Sequence, residues 1–325
     1  MNDYNLWVPI ELDYFADLGI DANLDADAAG ANSTVTFVAE NKADVGYPSP
    51  GALGQSIDNG IAIQSIWGQY PAQLFDFSLP RDSPIERVQQ LEGKTIAVGS
   101  EAWKELIDPL LVEAGVDPES VTLVSAGAQW SQVVSEGVAD AGLAWEGLRA
   151  QLQSQGLKLK FLLGSDFSKG PSNVYAVRRA DLGDEGKRDA YTRFLQGVVM
   201  GLEFAKANPR AAAQITYRQF PGLAETLSPQ TALESMLQLA SGYGAGVRAG
   251  KGWGFHDPAT WEPYLATIFD LGQTKRQLTI DDVLTNELVE AANAGANVER
   301  ARSDAAAFEL EEAFAATTVP EGIEL

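Results

Sequence analysis

Apolar positions along this chain repeat at two spacings, and the switches between them mark out its elements. Leu6, Trp7, Ile10, Tyr14 and Phe15 fall on one side of a helix that carries Pro9 in its first turns. Ile20, Ala22 and Leu24 alternate as a strand does, ahead of a Gly/Asn/Ser turn and a helix capped by Asn32 or Ser33. Short apolar runs bounded by turn residues predict further strands at Val45–Tyr47, Ile61–Trp67, Leu74–Leu79, Thr95–Val98, Val121–Val124, Ala141–Trp145 and Leu159–Leu163. Helical spacing predicts helices at Ala52–Asp58, from Trp103 to Ala114 with a bend at Pro109, at Ser131–Glu136 and at Leu148–Gln155. Strands alternating with helices from residue 20 to about 180 argue for an α/β architecture with mainly parallel sheets.

The pattern changes after Arg178. Tyr191, Phe194, Leu195, Val198, Leu202 and Ala205 mark one long helix ended by Asn208-Pro209. Further helices are expected at Pro209–Gln219, Pro229–Ser241, Pro258–Leu271, Ile280–Val283 and Asn286–Ala292. The acidic, Ala-rich tail from Ala301 reads as helical over Ala305–Phe314 and loose elsewhere.

One stretch occurs twice. VAENKADVGYPSP (Val38–Pro50) and VSEGVADAGLAWE (Val134–Glu146) share Val, Glu, Ala-Asp and Gly in register, each where a helix gives way to a strand. The pair is either one repeated helix-to-strand unit or two ordinary αβ connections with Asp44 and Asp140 as turn residues.

Composition narrows the function classes. A chain of 325 residues has room for two domains. With 45 acidic against 23 basic residues and a formal charge of -22, it repels nucleic-acid phosphates and anionic lipid headgroups, so nucleic acid is not an expected partner. Zero Cys and one His exclude thiolate metal sites, disulfides, Cys nucleophiles and multi-His metal centres. The Asp-rich segment DADAAG lacks the spacing of a calcium loop, so no metal and no cofactor are expected. There is no nucleophile elbow and no P-loop lysine, and His256 in GWGFHDP reads as a loop or cap residue beside the core aromatics Trp253 and Phe255. No run approaches the roughly 18 apolar residues of a membrane-spanning helix. The segment MNDYNLWVPIELDYF lacks the basic and apolar regions of a signal peptide, so the protein is either cytosolic or has had such a segment removed.

Several short signatures then follow one another in a fixed order: Asp13-Tyr14-Phe15, Gly19-Ile20-Asp21, the two Ala-Asp-x-Gly strand starts, Leu91–Ser100 (LEGKTIAVGS), and Ala114 to Val124. This order resembles the thiamine-precursor and sulfonate-type substrate-binding proteins of ABC transporters, within the periplasmic binding proteins of type II topology, over about residues 6 to 290. The resemblance implies a two-lobed α/β fold with a two-strand hinge near Gln73–Leu79 and Pro171–Val177 and a helical C-terminal part. Lobe one would be 1–76 plus 175–325 and lobe two 77–174, with the twin stretches on facing sides of a cleft. It also implies a small-molecule ligand, an ABC permease as membrane partner, a monomer, and a periplasmic or lipoprotein location. Family members carry a first strand and an export signal that do not appear here, so the sheet of lobe one is expected to have an exposed edge.

Ligands of open α/β sheets sit beyond the carboxyl ends of strands. That rule selects Ser33, Ser49, Trp67, Gln69 and Tyr70 in lobe one, and Ser100, Glu101, Gln129, Trp130, Trp145 and Glu146 in lobe two, with Ser172 and Asn173 at the returning hinge. Ser33 and Ser100 at helix starts favour an anion by the helix dipole, or serve as plain N-caps. Trp67, Tyr70, Trp130 and Trp145 can stack on a flat ligand or pack in the core, and Gln69, Gln129 and Glu146 can read its polar edge. Basic residues are scarce in this set, with only Arg81 and Lys104 nearby. A flat heterocycle resembling a thiamine pyrimidine, or an aromatic acid, is therefore the expected ligand. An aliphatic sulfonate, a pyrimidine-synthase-like enzyme on the same fold and a sensor module are the alternatives.

Overall fold

Two sheets organise the chain, which the computed structural model describes over residues 1, 3–24, 31–71 and 73–320, with backbone alone at 31–33 and 245. In chain order the strands are β1 (Ile63–Trp67), β2 (Phe75–Pro80), β3 (Thr95–Val98), β4 (Thr122–Ser125), β5 (Ala141–Trp145), β6 (Leu159–Leu162) and β7 (Tyr175–Arg178). β1 and β7 pair antiparallel, and the other five form a sheet in the order β4-β3-β5-β2-β6. This is a two-lobed α/β fold, one lobe built on each sheet.

The five-stranded sheet is mixed rather than mainly parallel. β3 runs parallel to β4 and β5, but β2 runs antiparallel to both of its neighbours, β5 and β6. β2 enters from the first sheet and lies between two later strands joined to each other by the helix Leu148–Ser154, so its direction is set by the crossing. Strand direction leaves little mark on a short buried run.

The first sheet is smaller than expected. Residues 20–24 carry no strand, and Val45–Tyr47 contributes a single bridge, Gly46 to Ala176. Ile20, Ala22 and Leu24 pack as half-buried residues on the core instead. The edges of this sheet are capped all the same. Gly46 exchanges two backbone hydrogen bonds with Ala176 on the β7 side, and Thr285 N–H donates to the Ser65 carbonyl at 2.9 Å on the β1 side.

The chain crosses between sheets at 68–74 and 163–174. The Tyr70 amide donates to the Asn173 carbonyl at 3.1 Å, so the crossings are tied together.

Helices cover the first sheet. The long helix Glu185–Ala207 is the axis, and Tyr4–Glu11, Val289–Gly295 and Val298–Ala307 pack against it. The tail is docked rather than loose. Ala301 and Ala305, four apart on one helix face, are fully buried. Phe314 is 1% exposed and meets Tyr217 edge-on at 5.4 Å. Glu203 accepts from Trp253 Nε1 at 2.9 Å and from Arg302 Nη2 at 2.7 Å, which fastens the same helix electrostatically. Alanine-rich spacing hides this contact in the sequence because the small side chains carry little apolar signal.

His256 lies in the loop before the helix Pro258–Asp270, as its sequence context predicts, but it is buried there and clamps the core. Its Nε2 lies 2.7 Å from Ser65 Oγ and its Nδ1 3.1 Å from Asn286 Oδ1. Burial pulls the imidazole down to about 4, with the Asn286 bond opposing only in part.

Two measurements check this packing. Phe314→Ala should cost about 3–5 kcal/mol in urea unfolding, whereas a loose tail would leave the midpoint unmoved. For His256, the folded value lies below the unfolded one, so its contribution is full above pH 6.5 and is lost as pH falls towards 4. That loss amounts to about 3 kcal/mol. His256→Gln should unfold at a lower temperature near neutrality but show the flatter decline between those pH values, and equal slopes would refute the assignment.

Candidate functional site

β3, β4 and β5 run parallel, so their carboxyl ends share one edge, where ligands of such sheets are held. Each strand delivers a tryptophan to that edge. Trp145 is the last residue of β5, Trp130 opens the helix Trp130–Ser135 that follows β4, and Trp103 closes the turn Glu101–Trp103 that follows β3. Trp130 and Trp145 lie 5.9 Å apart at an interplanar angle of 17°, and Trp103 stands edge-on to them at 5.2 and 5.9 Å. Trp130 is pinned by its Nε1, which donates to the Leu143 carbonyl at 2.8 Å. Gly99 makes room for Trp103, because a Cβ there would lie 2.8 Å from the indole.

All three rings are partly exposed. A flat group sandwiched between two rings needs about 7 Å, twice a contact distance of about 3.5 Å. The observed spacing leaves no such slot, so the cluster is a platform with outward faces rather than a cage. Ser100, Glu101 and Gln129 surround it and are exposed. Ser100 Oγ accepts from Ala102 N at 3.3 Å, which makes it the cap of a short turn.

Glu146 lies directly beside the platform and is buried. Arg149 Nη2 donates to its carboxylate, and Arg149 Nε stands 3.5 Å from Asp76 Oδ2. Asp76 Oδ1 accepts from the Gly164 amide at 2.8 Å. Burial raises both carboxyls, and the neighbouring Glu146 charge adds to the effect at Asp76, which is pushed up to about 7. The other sequence-near cation, Lys104, is 2.7 Å from Asp108 and 3.7 Å from Glu119. Arg149 and Lys104 are therefore already engaged by carboxylates.

The lobe-one candidates lie deeper. Ser49 is buried and caps the helix Pro50–Asp58, accepting from Ala52 N at 3.2 Å. Trp67 is 1% exposed, lies under Gly254, and donates to Gln69 Oε1 at 3.0 Å. Tyr70 packs edge-on to Tyr243 at 5.3 Å, within a group of aromatic hydroxyls that includes Tyr4, Tyr47 and Tyr175. Asn173 is half-buried at the crossing. The side chains of Asn32 and Ser33, and the DADAAG segment, lie outside the described residues. The structure thus brings Ser100, Glu101, Gln129, Trp130, Trp145 and Glu146 together, and sets Ser49, Trp67 and Gln69 into the interior of the other lobe.

Phe75 is opposite Trp145 across the β2–β5 ladder, so their side chains share a sheet face. Next to Phe75 a shallow concavity of about 20 Å³ runs between the lobes, lined by Pro50 and Tyr264 on one side and Leu106, Leu110 and Glu113 on the other. That volume has room for about one water molecule, so a ligand there would need the lobes to part. Sequence inspection missed Trp103, Arg149 and Asp76. Trp103 sits at helical spacing and reads as packing, although Gly99-Ser100 just before it marks a strand end. Arg149 and Asp76 carry no local signal.

The family model described as "NMT1/THI5 like" matches residues 2–212. No curated protein matches the chain. Among solved structures, the alkanesulfonate-binding protein SsuA from Xanthomonas axonopodis pv. citri bound to MOPS is 11% identical, with 87% of this chain and 96% of that one covered and a TM-score of 0.64. A putative periplasmic sulfonate-binding SsuA from Methylobacillus flagellatus KT is 12% identical, covering 90% and 88% with a TM-score of 0.61. A mutant of DSZB in complex with biphenyl-2-sulfinic acid is 13% identical, covering 89% and 95% with a TM-score of 0.61. At these identities the likeness concerns the fold.

Edge and interior tryptophans should behave differently. Trp145→Ala is expected to weaken ligand binding by roughly 1–3 kcal/mol in calorimetric titration with stability little changed. Trp67→Ala should instead cost about 3–5 kcal/mol of folding stability. If the two variants lost affinity and stability alike, the platform would not be a ligand surface.

Proposed function

The chain belongs to the NMT1/THI5-like family, and we propose that it is a solute-binding receptor for ABC import that works outside the cytoplasmic membrane. It acts as a monomer, with lobe one (1–76 plus 175–325) and lobe two (77–174) closing on a small organic molecule and presenting it to a membrane permease. The observation that carries this is the three-tryptophan platform at the carboxyl edge of β3, β4 and β5. A flat apolar body matches the outward ring faces, and Gln129, Ser100 and Glu101 supply polar contacts at the rim. A heterocycle or an aromatic acid fits this surface.

An aliphatic sulfonate is the second reading, favoured by the sulfonate-binding proteins among the structural neighbours. The engaged state of Arg149 and Lys104 weighs against it, because an unneutralised oxyanion next to Glu146 would meet like charge, and the same argument places a neutral heterocycle ahead of an aromatic acid. An enzyme is suggested only by the neighbouring desulfurization enzyme DSZB. Against it, this chain has no Cys and holds its one His in the core, leaving neither a thiolate nor an accessible imidazole.

Calorimetric titration with heterocycles, aromatic acids, taurine and alkanesulfonates tests the proposal. A heterocycle or aromatic acid is expected to bind and to change tryptophan fluorescence. Tight binding confined to taurine or an alkanesulfonate would overturn the ligand class, and silence across the whole panel would overturn the receptor.

A further inference from the structure

Two carboxyl groups share one guanidinium beside the platform, and the arrangement is incomplete. Asp76 is fully buried, Glu146 is 5% exposed, and the Arg149 side chain is about one-fifth exposed. Glu146 has the close bond to Arg149. Asp76 Oδ2 and Arg149 Nε face each other at 3.5 Å, and neither makes a hydrogen bond. With both carboxyls ionised, one negative charge in a site closed to water would lack a partner, which is the costly case for a buried ion. The other titratable neighbours, Tyr70 from the first crossing and Asp166 from the helix Gly164–Phe167, are neutral or acidic and supply no compensating charge.

The same three residues adjoin the lobe junction. Arg149 is on the helix Leu148–Ser154, which meets the helix Pro229–Tyr243 of the other lobe. There Ser235 Oγ donates to the Gly147 carbonyl at 2.6 Å, Gln151 Nε2 donates to Ser235 Oγ at 3.1 Å, and Leu239 lies against Gly147. Parting of the lobes would uncover the buried residues of the stretch from Glu146 to Ala150, where Arg149 is already partly exposed.

We propose that Asp76, Arg149 and Glu146 form a proton-holding latch, in which Asp76 is protonated while the lobes are closed and releases its proton to solvent as they open. Arg149 is then the positioning residue that holds Glu146 at the rim of the platform, while neutral Asp76 makes no competing claim on the guanidinium. The direction follows from linkage. A carboxyl whose value is raised in the closed form stabilises that form at low pH, and the stabilisation is lost as pH rises from the ordinary carboxylate range through about 7. The usual near-neutral titrant is absent as a rival, since the one imidazole is buried and depressed to about 4.

The proposal rests on the platform being the ligand surface, so its test has arms that need no ligand. Infrared difference spectra of the ligand-free protein should show a protonated buried carboxyl at about pH 6 that is absent from Asp76→Asn and moves to lower pH in Glu146→Gln. Small-angle scattering should show wild type opening between about pH 5 and pH 8 while Asp76→Asn keeps one shape throughout. For any binder found, affinity should fall as pH rises between about 5 and 7, by up to about tenfold per unit, and stay level in Asp76→Asn. A wild-type spectrum without the protonated band, or identical pH dependence in wild type and Asp76→Asn, would overturn the latch. If no ligand binds, the platform fails as a ligand surface, and the infrared and scattering results still decide the latch on their own.

Discussion

The insertion of β2 between β5 and β6 is the constraint on which the rest of the structure depends. It carries the chain out of the first sheet and sets Phe75 opposite Trp145. It also buries Asp76 next to Arg149 and Glu146. Because β2 runs against its neighbours, the carboxyl ends of β3, β4 and β5 are left at an edge that β2 enters from the opposite direction. The tryptophan platform therefore forms beside the crossing segment.

The two copies of the Ala-Asp-x-Gly stretch show how one local solution yields different surfaces. In the second copy, Asp140 accepts from both the amide and the hydroxyl of Thr95 at 2.9 Å, fastening the start of β3. In the first copy, Asp44 accepts from Arg178 at 3.0 Å and Lys187 at 3.2 Å, fastening the end of β7. Each aspartate ties its own strand to the neighbouring one, which is more than a turn residue does. The copies part immediately afterwards. Pro48 and Pro50 have no amide to donate, so pairing in the first copy stops after one bridge and Ser49 is left to cap a helix. The second copy has no proline, continues through Trp145, and delivers that ring and Glu146 to the carboxyl edge of the sheet.

Much of the fold was legible because apolar spacing reports burial. Thr95–Val98, Ala141–Trp145 and Ile280–Val283 begin and end where the spacing places them. What spacing does not report is pairing. Ile20, Ala22 and Leu24 alternate without a partner strand, and the antiparallel course of β2 depends on residues far away in the chain. The same limit applies to the site. The edge tryptophans Trp130 and Trp145 announce themselves by lying at strand ends, whereas Trp67 has an equivalent position and ends up under Gly254 in the interior. The difference is made by the loop that brings Gly254 over the indole, some 190 residues later.

Charge bears on which ligands the proposed platform would favour. A chain with a net charge of -22 offers little long-range attraction to anions, so an anionic ligand would depend on a local cation. Arg149 is the cation best placed for that role, and it is committed to Glu146. Releasing it would strand Glu146 in a buried position, at a cost comparable to what an incoming anion would gain. A neutral flat ligand avoids that exchange, since ring stacking and rim hydrogen bonds leave the pair intact. On the proposed reading, strong acidity elsewhere on the surface serves solubility, and recognition would rest on the aromatic faces beside the Glu146–Arg149 pair.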